Sequence, residues 1–477
     1  MKIETILLII TFTVVLRIMI HFWGKVWPLT VAALLFLFWM QPALPVRYLG
    51  FWFSCLTLIL VVISWLMITP KSERRFKDNW LTLFLVFSVP LILSAWRYID
   101  INGIIVANRP PLLWQVAIFL FGCAIVIAII WRYIKTSATA AIAAIVAFIL
   151  IFIILKTPFF AELLSVQVRQ WVGQSPQLAS SLDIRWIGFS YLAFRVIHTL
   201  FESKNGKLAS MELNEFICYV LFPPSLTAGP IDRIERFLPD LHKQLRIFDN
   251  PDQYFDAFKR ILFGLFKKFV IADTLGLIAL SQQVAEQTTS TLWLWIIVYA
   301  SALQIYFDFS GYTDLAIGLG KILGVDLPEN FKKPYLKTNL ALFWNSWHIT
   351  LTQWFRTYYF NPITRKLRKS KIGKHQNSIM LVMQVTTMLL IGLWHGVSGH
   401  FFAWGLWHGL GMFIHNRFSP LMQKLQNKAQ NDPILPKLWN GVSWVITFNF
   451  VALGWVWFLM PNVQSAISVF TILFGGK

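Results

Sequence analysis

The chain has 477 residues, of which 57% are hydrophobic and only 13% charged, where an ordinary soluble domain carries about 25% charged residues. Apolar runs recur from Ile6 to Phe474 with no long polar linker between them, which excludes a soluble globular enzyme, a disordered chain and a disulfide scaffold. The 42 Lys and Arg against 22 Asp and Glu, a net charge of +20, are read as basic cytosolic loops beside anionic lipid and not as a nucleic-acid surface.

A spanning helix needs about 20 apolar residues to cross about 30 Å of hydrocarbon. In chain order, spans are predicted over 6–23, 48–68, 80–96, 112–131 and 140–155, with a shorter apolar run over 27–40. The first run lacks a small-residue cleavage site and is followed at once by further spans, so it is read as a retained helix. The three cysteines, Cys55, Cys123 and Cys218, lie in apolar stretches without metal-type spacing. Loop charge alternates. Residues 71–77 are basic, 98–111 are nearly neutral, Arg132 and Lys135 are basic, 157–183 is mixed and amphipathic, and Lys204 with Lys207 is basic again. The basic loops are therefore placed in the cytosol.

After residue 185 the hydrophobic segments are shorter and interrupted, at Gly229-Pro230, Gly311, Pro328, Pro334 and Asn361-Pro362. Irregular backbone at membrane depth survives only inside protein or along a water-filled cavity. A site is therefore expected in the second half. A final apolar pair, 438–460 and 463–474, closes the sequence.

Three clusters in that half could carry chemistry. Asp308 and Asp314 sit in the apolar run 301–324, where a carboxylate needs a partner or a cavity. Six residues separate them, about 600° around a helix, so they do not form a paired acid/base device. Residues 328–365 gather Trp344, Asn345, Trp347, His348, Trp354 and Arg356, and Trp344, Trp347 and His348 are predicted to share one helical face. Residues 392–409 read GLWHGVSGHFFAWGLWHG, with His395, His400 and His408 among glycines that allow close backbone approach. A histidine titrates near working pH and suits a general base. His395 and His408 are 13 residues apart, a spacing that would suit two stacked haems, but no second helix supplies the matching pair. Zinc, nucleotide-loop and nucleophile-elbow patterns are absent.

Taken together, SGYTDLAIGLGKILGVDLPENFKKPY, FWNSWHITLTQWFR and GLWHGVSGHFFAWGLWHG, preceded by FPPSLTAGPIDRIERF at 222–237, resemble the membrane-bound O-acyltransferase family. The similarity is greatest to its bacterial alginate O-acetylation and teichoic-acid D-alanylation branch, over roughly 185–420. The resemblance implies His395 as catalytic base and His348 at the second functional position. It also implies a tunnel lined by such residues as Asn345, Trp344, Trp394, Asp308 and Asp314. A donor would enter from the cytosolic side and meet basic residues, among which Lys332, Lys333 and Arg233 are candidates.

The expected protein is thus an all-α, polytopic transmembrane enzyme of roughly 11 to 13 membrane helices. It is organised as N-terminal helices (1–160), an acyltransferase core (185–420) and C-terminal helices (438–477) within one membrane domain. It would use acyl-CoA or an acyl-carrier protein as donor substrate, with no cofactor and no metal. Its acceptor would be a hydroxyl of a cell-surface polysaccharide, and its setting the cytoplasmic (inner) membrane, among lipids. An extracytoplasmic acyltransferase or polysaccharide-modifying protein is the expected partner. A transporter or lipid-translocating protein is the competing reading.

Overall fold

The computed structural model describes residues 3–98, 109–244, 251–428, 432 and 434–476. Among them there is helix and irregular backbone but no strand, in keeping with the all-α expectation. Eight described helices are long and apolar enough to cross a membrane: Ile3–Trp23, Leu49–Ile68, Phe76–Tyr98, Leu113–Tyr133, Ala138–Lys156, Thr291–Ile322, Gln376–His395 and Leu435–Leu459. Val26–Trp39 and Val463–Leu473 are apolar but shorter. Along Leu113–Tyr133, Trp114, Ile118, Phe121 and Ile125 stand exposed. A stripe of that kind is untenable in water and natural against hydrocarbon, so the chain is a multi-pass membrane protein. The neutral loop read at 98–111 lies mostly outside the described residues.

The chain divides into two compact units, 1–260 with 316–327, and 261–315 with 328–477. In the first unit, the amphipathic stretch becomes the helix Pro158–Trp171, opened by a proline whose missing N–H costs nothing in a first turn. It docks through Ser165 and Arg169, which both donate to Asp183 Oδ2, at 2.6 and 2.7 Å. Burial works against the Asp183 carboxylate, but the hydrogen bonds from Arg169 and Ser165 prevail and hold it below its usual range.

The block at 222–237 folds as a buried knot in the same unit. Arg195, 1% exposed, donates to the backbone oxygens of Tyr219, Val220 and Ser225 and to Ser225 Oγ. Tyr219 donates to the Asp232 carbonyl at 2.9 Å. Asp232 in turn takes the Arg236 guanidinium. The polar residues of this motif therefore hold irregular backbone together, as buried polar groups must.

In the second unit, Gly311 does not break its segment, contrary to the sequence reading. The helix Thr291–Ile322 runs through it for 32 residues, and its last residues, from Ala316, belong to the first unit. Gly311 serves a crossing instead. A Cβ there would lie 2.9 Å from the Gly264 carbonyl, and one on Gly264 would lie 2.8 Å from the Gly311 carbonyl. Just beyond Gly264 the backbone widens into a π-helical turn, Phe266–Ala272, which carries Lys267 and Lys268. The helices Gln376–His395 and Gly399–Lys428 then form a tight hairpin. A Cβ on Gly392 would meet the Phe401 carbonyl at 2.4 Å, and one on Gly405 the Met388 carbonyl at 2.7 Å.

Candidate active site

His348 is not on a helix shared with Trp344, contrary to the sequence reading. The helix Leu340–Trp344 stops, the chain turns, and Ile349–Phe355 begins afresh with His348 at its N-cap. His348 has φ +41°, a left-handed conformation that is costly for a residue with a Cβ. The reason is a rival set of backbone partners. The Asn330 carbonyl accepts from Ile349 N–H at 3.0 Å, and the Ser346 carbonyl accepts from Lys332 N–H at 3.0 Å. Asn330 Oδ1 accepts from Thr350 N–H at 3.2 Å and from Thr350 Oγ1 at 2.7 Å. Asn330 is fully buried, so these bonds are made away from water.

This turn aims the His348 ring inward. It is 3% exposed, and both ring nitrogens are buried without a hydrogen-bond partner among the described residues. Native structures seldom leave buried polar atoms unmatched, so such an imidazole has bonding capacity to offer something other than the protein. Its edge meets Phe309 at 4.7 Å and Trp394 at 6.0 Å between ring centroids.

His395 closes the helix Gln376–His395 and is half-buried. Its ring lies 4.5 Å from Trp394, 4.7 Å from Phe458, 5.8 Å from Phe401 and 5.9 Å from Trp404. Trp394 thus touches both candidate histidines, which the structure brings to one place although 47 positions separate them in sequence. The aromatic series continues from Trp404 to His408 at 4.9 Å, and from His408 to Trp344 at 5.1 Å. His408 is fully buried, and its two nitrogens also have no partner among the described residues. His400 lies apart, with Nδ1 3.1 Å from the Trp457 carbonyl.

The other sequence candidates fall in varied settings. Trp344 is buried against Trp404 and His408. Asn345 is exposed, and its Oδ1 accepts from Arg356 at 2.8 Å. Asp308 pairs with Lys268 at 2.7 Å and Asp314 with Lys267 at 2.5 Å. The π turn sets successive lysines toward two carboxylates that do not share a face of their own helix. Lys332 and Lys333 are exposed beside the His348 turn, Lys333 with φ +49°. Arg233 is exposed in the first unit.

Sequence reasoning missed Asn330, Phe309 and the lysines Lys267 and Lys268 that partner the two aspartates. It also missed a trio in the first unit, His198, Glu202 and Glu235, whose ligand-type atoms lie within 4.8 Å of one another. His198 Nε2 there accepts from Ile234 N–H and sits 3.3 Å from Glu235 Oε2. The i, i+4 spacing of His198 and Glu202 was the one available signal, and Glu235 comes from a distant helix.

Comparison with known proteins gives a consistent result. A model of the membrane-bound O-acyltransferase family matches residues 79–454. The chain is 31% identical over 287 residues to a teichoic acid D-alanyltransferase of Streptococcus thermophilus, covering 58% of this chain and 68% of that one. It is 33% identical over 290 residues to a probable alginate O-acetylase of Pseudomonas putida, 60% of this chain and 55% of that one. With a peptidoglycan O-acetyltransferase of Helicobacter pylori it shares 34% over 274 residues, 56% of this chain and 48% of the other. The matches thus span about two thirds of the first relative's length and about half of the other two.

Proposed function

Because the chain belongs to the membrane-bound O-acyltransferase family, we propose that it moves an acyl group, acetyl by preference, from a thioester donor to a hydroxyl of a cell-surface polysaccharide. The donor is acyl-CoA or an acyl-carrier protein reaching the site from the cytosol, and the chain works in the cytoplasmic membrane with an extracytoplasmic partner that receives or directs the acyl group. The observation that carries this reading is the packing of both His348 and His395 against Trp394. An O-acyl transfer needs one group to take the hydroxyl proton and another to orient the acyl carbonyl or hold its developing charge.

In the proposed step, His395 accepts the proton as the hydroxyl oxygen bonds to the acyl carbon. The carbon–sulfur bond then breaks, and the leaving thiolate takes that proton from His395, giving an ester and a free thiol. His348, buried and without a hydrogen-bond partner among the described residues, donates one N–H toward the acyl oxygen. The surrounding tryptophans and phenylalanines keep bulk water, a competing nucleophile, away from the thioester. Lys332 and Lys333 offer positive charge to the phosphates of an acyl-CoA or to an acidic carrier.

The test is mass spectrometry of surface glycans from cells carrying wild-type or variant protein, reading the ester mass. Removing a positioned base costs about 10²–10⁴ in rate, so His395→Ala should abolish detectable ester while the protein still inserts and accumulates. His348→Ala should be severe and His348→Asn, which retains an N–H donor, intermediate. His408→Ala and His400→Ala should be milder. A well-expressed His395→Ala protein that esterifies its acceptor near the wild-type rate would sink the mechanism and favour the transporter reading.

A further inference from the structure

The first unit contains a cavity of about 1070 Å³, at the upper end of small-molecule sites. Four elements wall it: the membrane helices Leu49–Ile68, Leu113–Tyr133 and Ala138–Lys156, and the amphipathic helix Pro158–Trp171. Along the helices it reaches Leu56, Ile118 and Ile151, each five to seven residues in from a helix end, hence about 8–10 Å from that level at 1.5 Å per residue, and at Ile118, which is exposed, it opens sideways toward the bilayer. Its mouth is of different chemistry. Arg47, Tyr48, Trp114, Gln115 and Trp171 cluster where those helices begin or end. Tryptophan, tyrosine and arginine at the end of an apolar shaft mark a membrane–water interface.

The mouth is also built rather than incidental. Tyr48 is held at φ +64°, and Arg97 stacks over its ring while donating to the Pro110 carbonyl at 2.6 Å. Deeper in the wall, Trp186 is stacked on Phe53 at 4.7 Å and fixed by a 2.8 Å bond from Nε1 to Thr57 Oγ1. Trp52 meets Phe119 edge-on at 5.1 Å. Arg47 is exposed and has no carboxylate partner among the described residues, and no described lining residue is acidic.

We propose that this cavity binds one glycerophospholipid with an anionic headgroup, its acyl chain in the apolar shaft and its phosphate at Arg47. Arg47 and Tyr48 sit at the opposite end of their helix from the basic loop 71–77, so the lipid comes from the non-cytosolic leaflet. Water-soluble ligands do not fit the shaft, because every group at its depth is hydrocarbon or aromatic. Charge complementarity at the mouth selects an anionic over a zwitterionic head.

The experiment uses the full chain, purified in detergent and stripped until surrounding lipid is lost, then titrated with phosphatidylglycerol or phosphatidylethanolamine of identical chains and examined by native mass spectrometry. Wild type should hold one phosphatidylglycerol at a lipid concentration several-fold below that needed for phosphatidylethanolamine. Arg47→Gln should lose this preference, and Ile118→Trp, which fills the shaft, should lose binding of both. A phosphatidylglycerol with a diazirine in its acyl chain should label peptides from Leu49–Ile68 and Leu113–Tyr133, which gives a reading even if the filled variant folds poorly. Absence of a retained lipid, a phosphatidylglycerol preference undiminished in Arg47→Gln, or labelling spread evenly over all spans would overturn the proposal.

Discussion

His348 holds a backbone conformation that costs a side-chain-bearing residue of order 1–3 kcal/mol, and Asn330 is what maintains it. Replacing Asn330 with Ala removes the acceptor for Thr350 N–H and Oγ1 in a buried setting, a loss of about 1–3 kcal/mol. Thermal unfolding should record that loss, and steady-state kinetics should show kcat falling with donor KM little changed. A variant with full kcat would mean that the turn does not aim the ring. Next to this turn, Lys332 and Lys333 stand in solvent. If they receive an anionic donor, neutralising both should raise donor KM several-fold at low salt and less at high salt, where screening already weakens the attraction. An unchanged KM at every ionic strength would leave lipid anchoring as their role. His395 and His348 could be singled out as candidates because short motifs surround them. Asn330 was not, since its partner Thr350 lies 20 positions away and nothing local marks an asparagine that caps someone else's turn.

The amphipathic helix Pro158–Trp171 is docked toward its C-terminal end by a buried ion pair, Arg169 with Asp183, side chains 6% and 4% exposed. The Asp183 carboxyl titrates below its usual value when folded, the bonds from Arg169 and Ser165 outweighing burial, and near about 3.9 when unfolded. Its contribution is therefore complete above the unfolded value and is lost as pH falls through the folded one. Asp183→Asn should cost about 3–5 kcal/mol at neutral pH by leaving a buried guanidinium unpaired. It should also flatten the stability profile below about pH 4, where wild type declines. Unfolding curves in detergent across that range read both effects; parallel acid limbs in the two proteins would refute the assignment. Residues 157–183 were read only as a mixed, amphipathic loop, and their helix was not foreseen. Apolar length found the N-terminal spans, because it is a local signal. Gly311 was misread for the opposite reason. A glycine that ends a helix and a glycine that admits a neighbouring backbone look alike until Gly264 is seen against it.

For the whole molecule, loop charge fixes orientation. Residues 71–77 and 365–374 are both expected in the cytosol, so cysteines placed in either, after replacement of Cys55, Cys123 and Cys218, should resist a membrane-impermeant reagent applied to intact cells. Strong labelling of either loop would reverse the side from which the donor comes. The membrane class and its family were readable at this scale because hydrophobic length and motif order survive without coordinates. The division into two compact units was not, since it depends on which distant segments pack together. One dimension has a further effect. The Thr291–Ile322 helix has 32 residues, a rise of about 48 Å, against about 30 Å of hydrocarbon. The difference is met by leaning, by projecting beyond the bilayer, or by deforming it. Phe309 on this helix rests against the His348 ring. Bilayer thickness is therefore expected to reach the His348 ring mechanically: lipids that change how far the helix leans should also change how Phe309 presses on it.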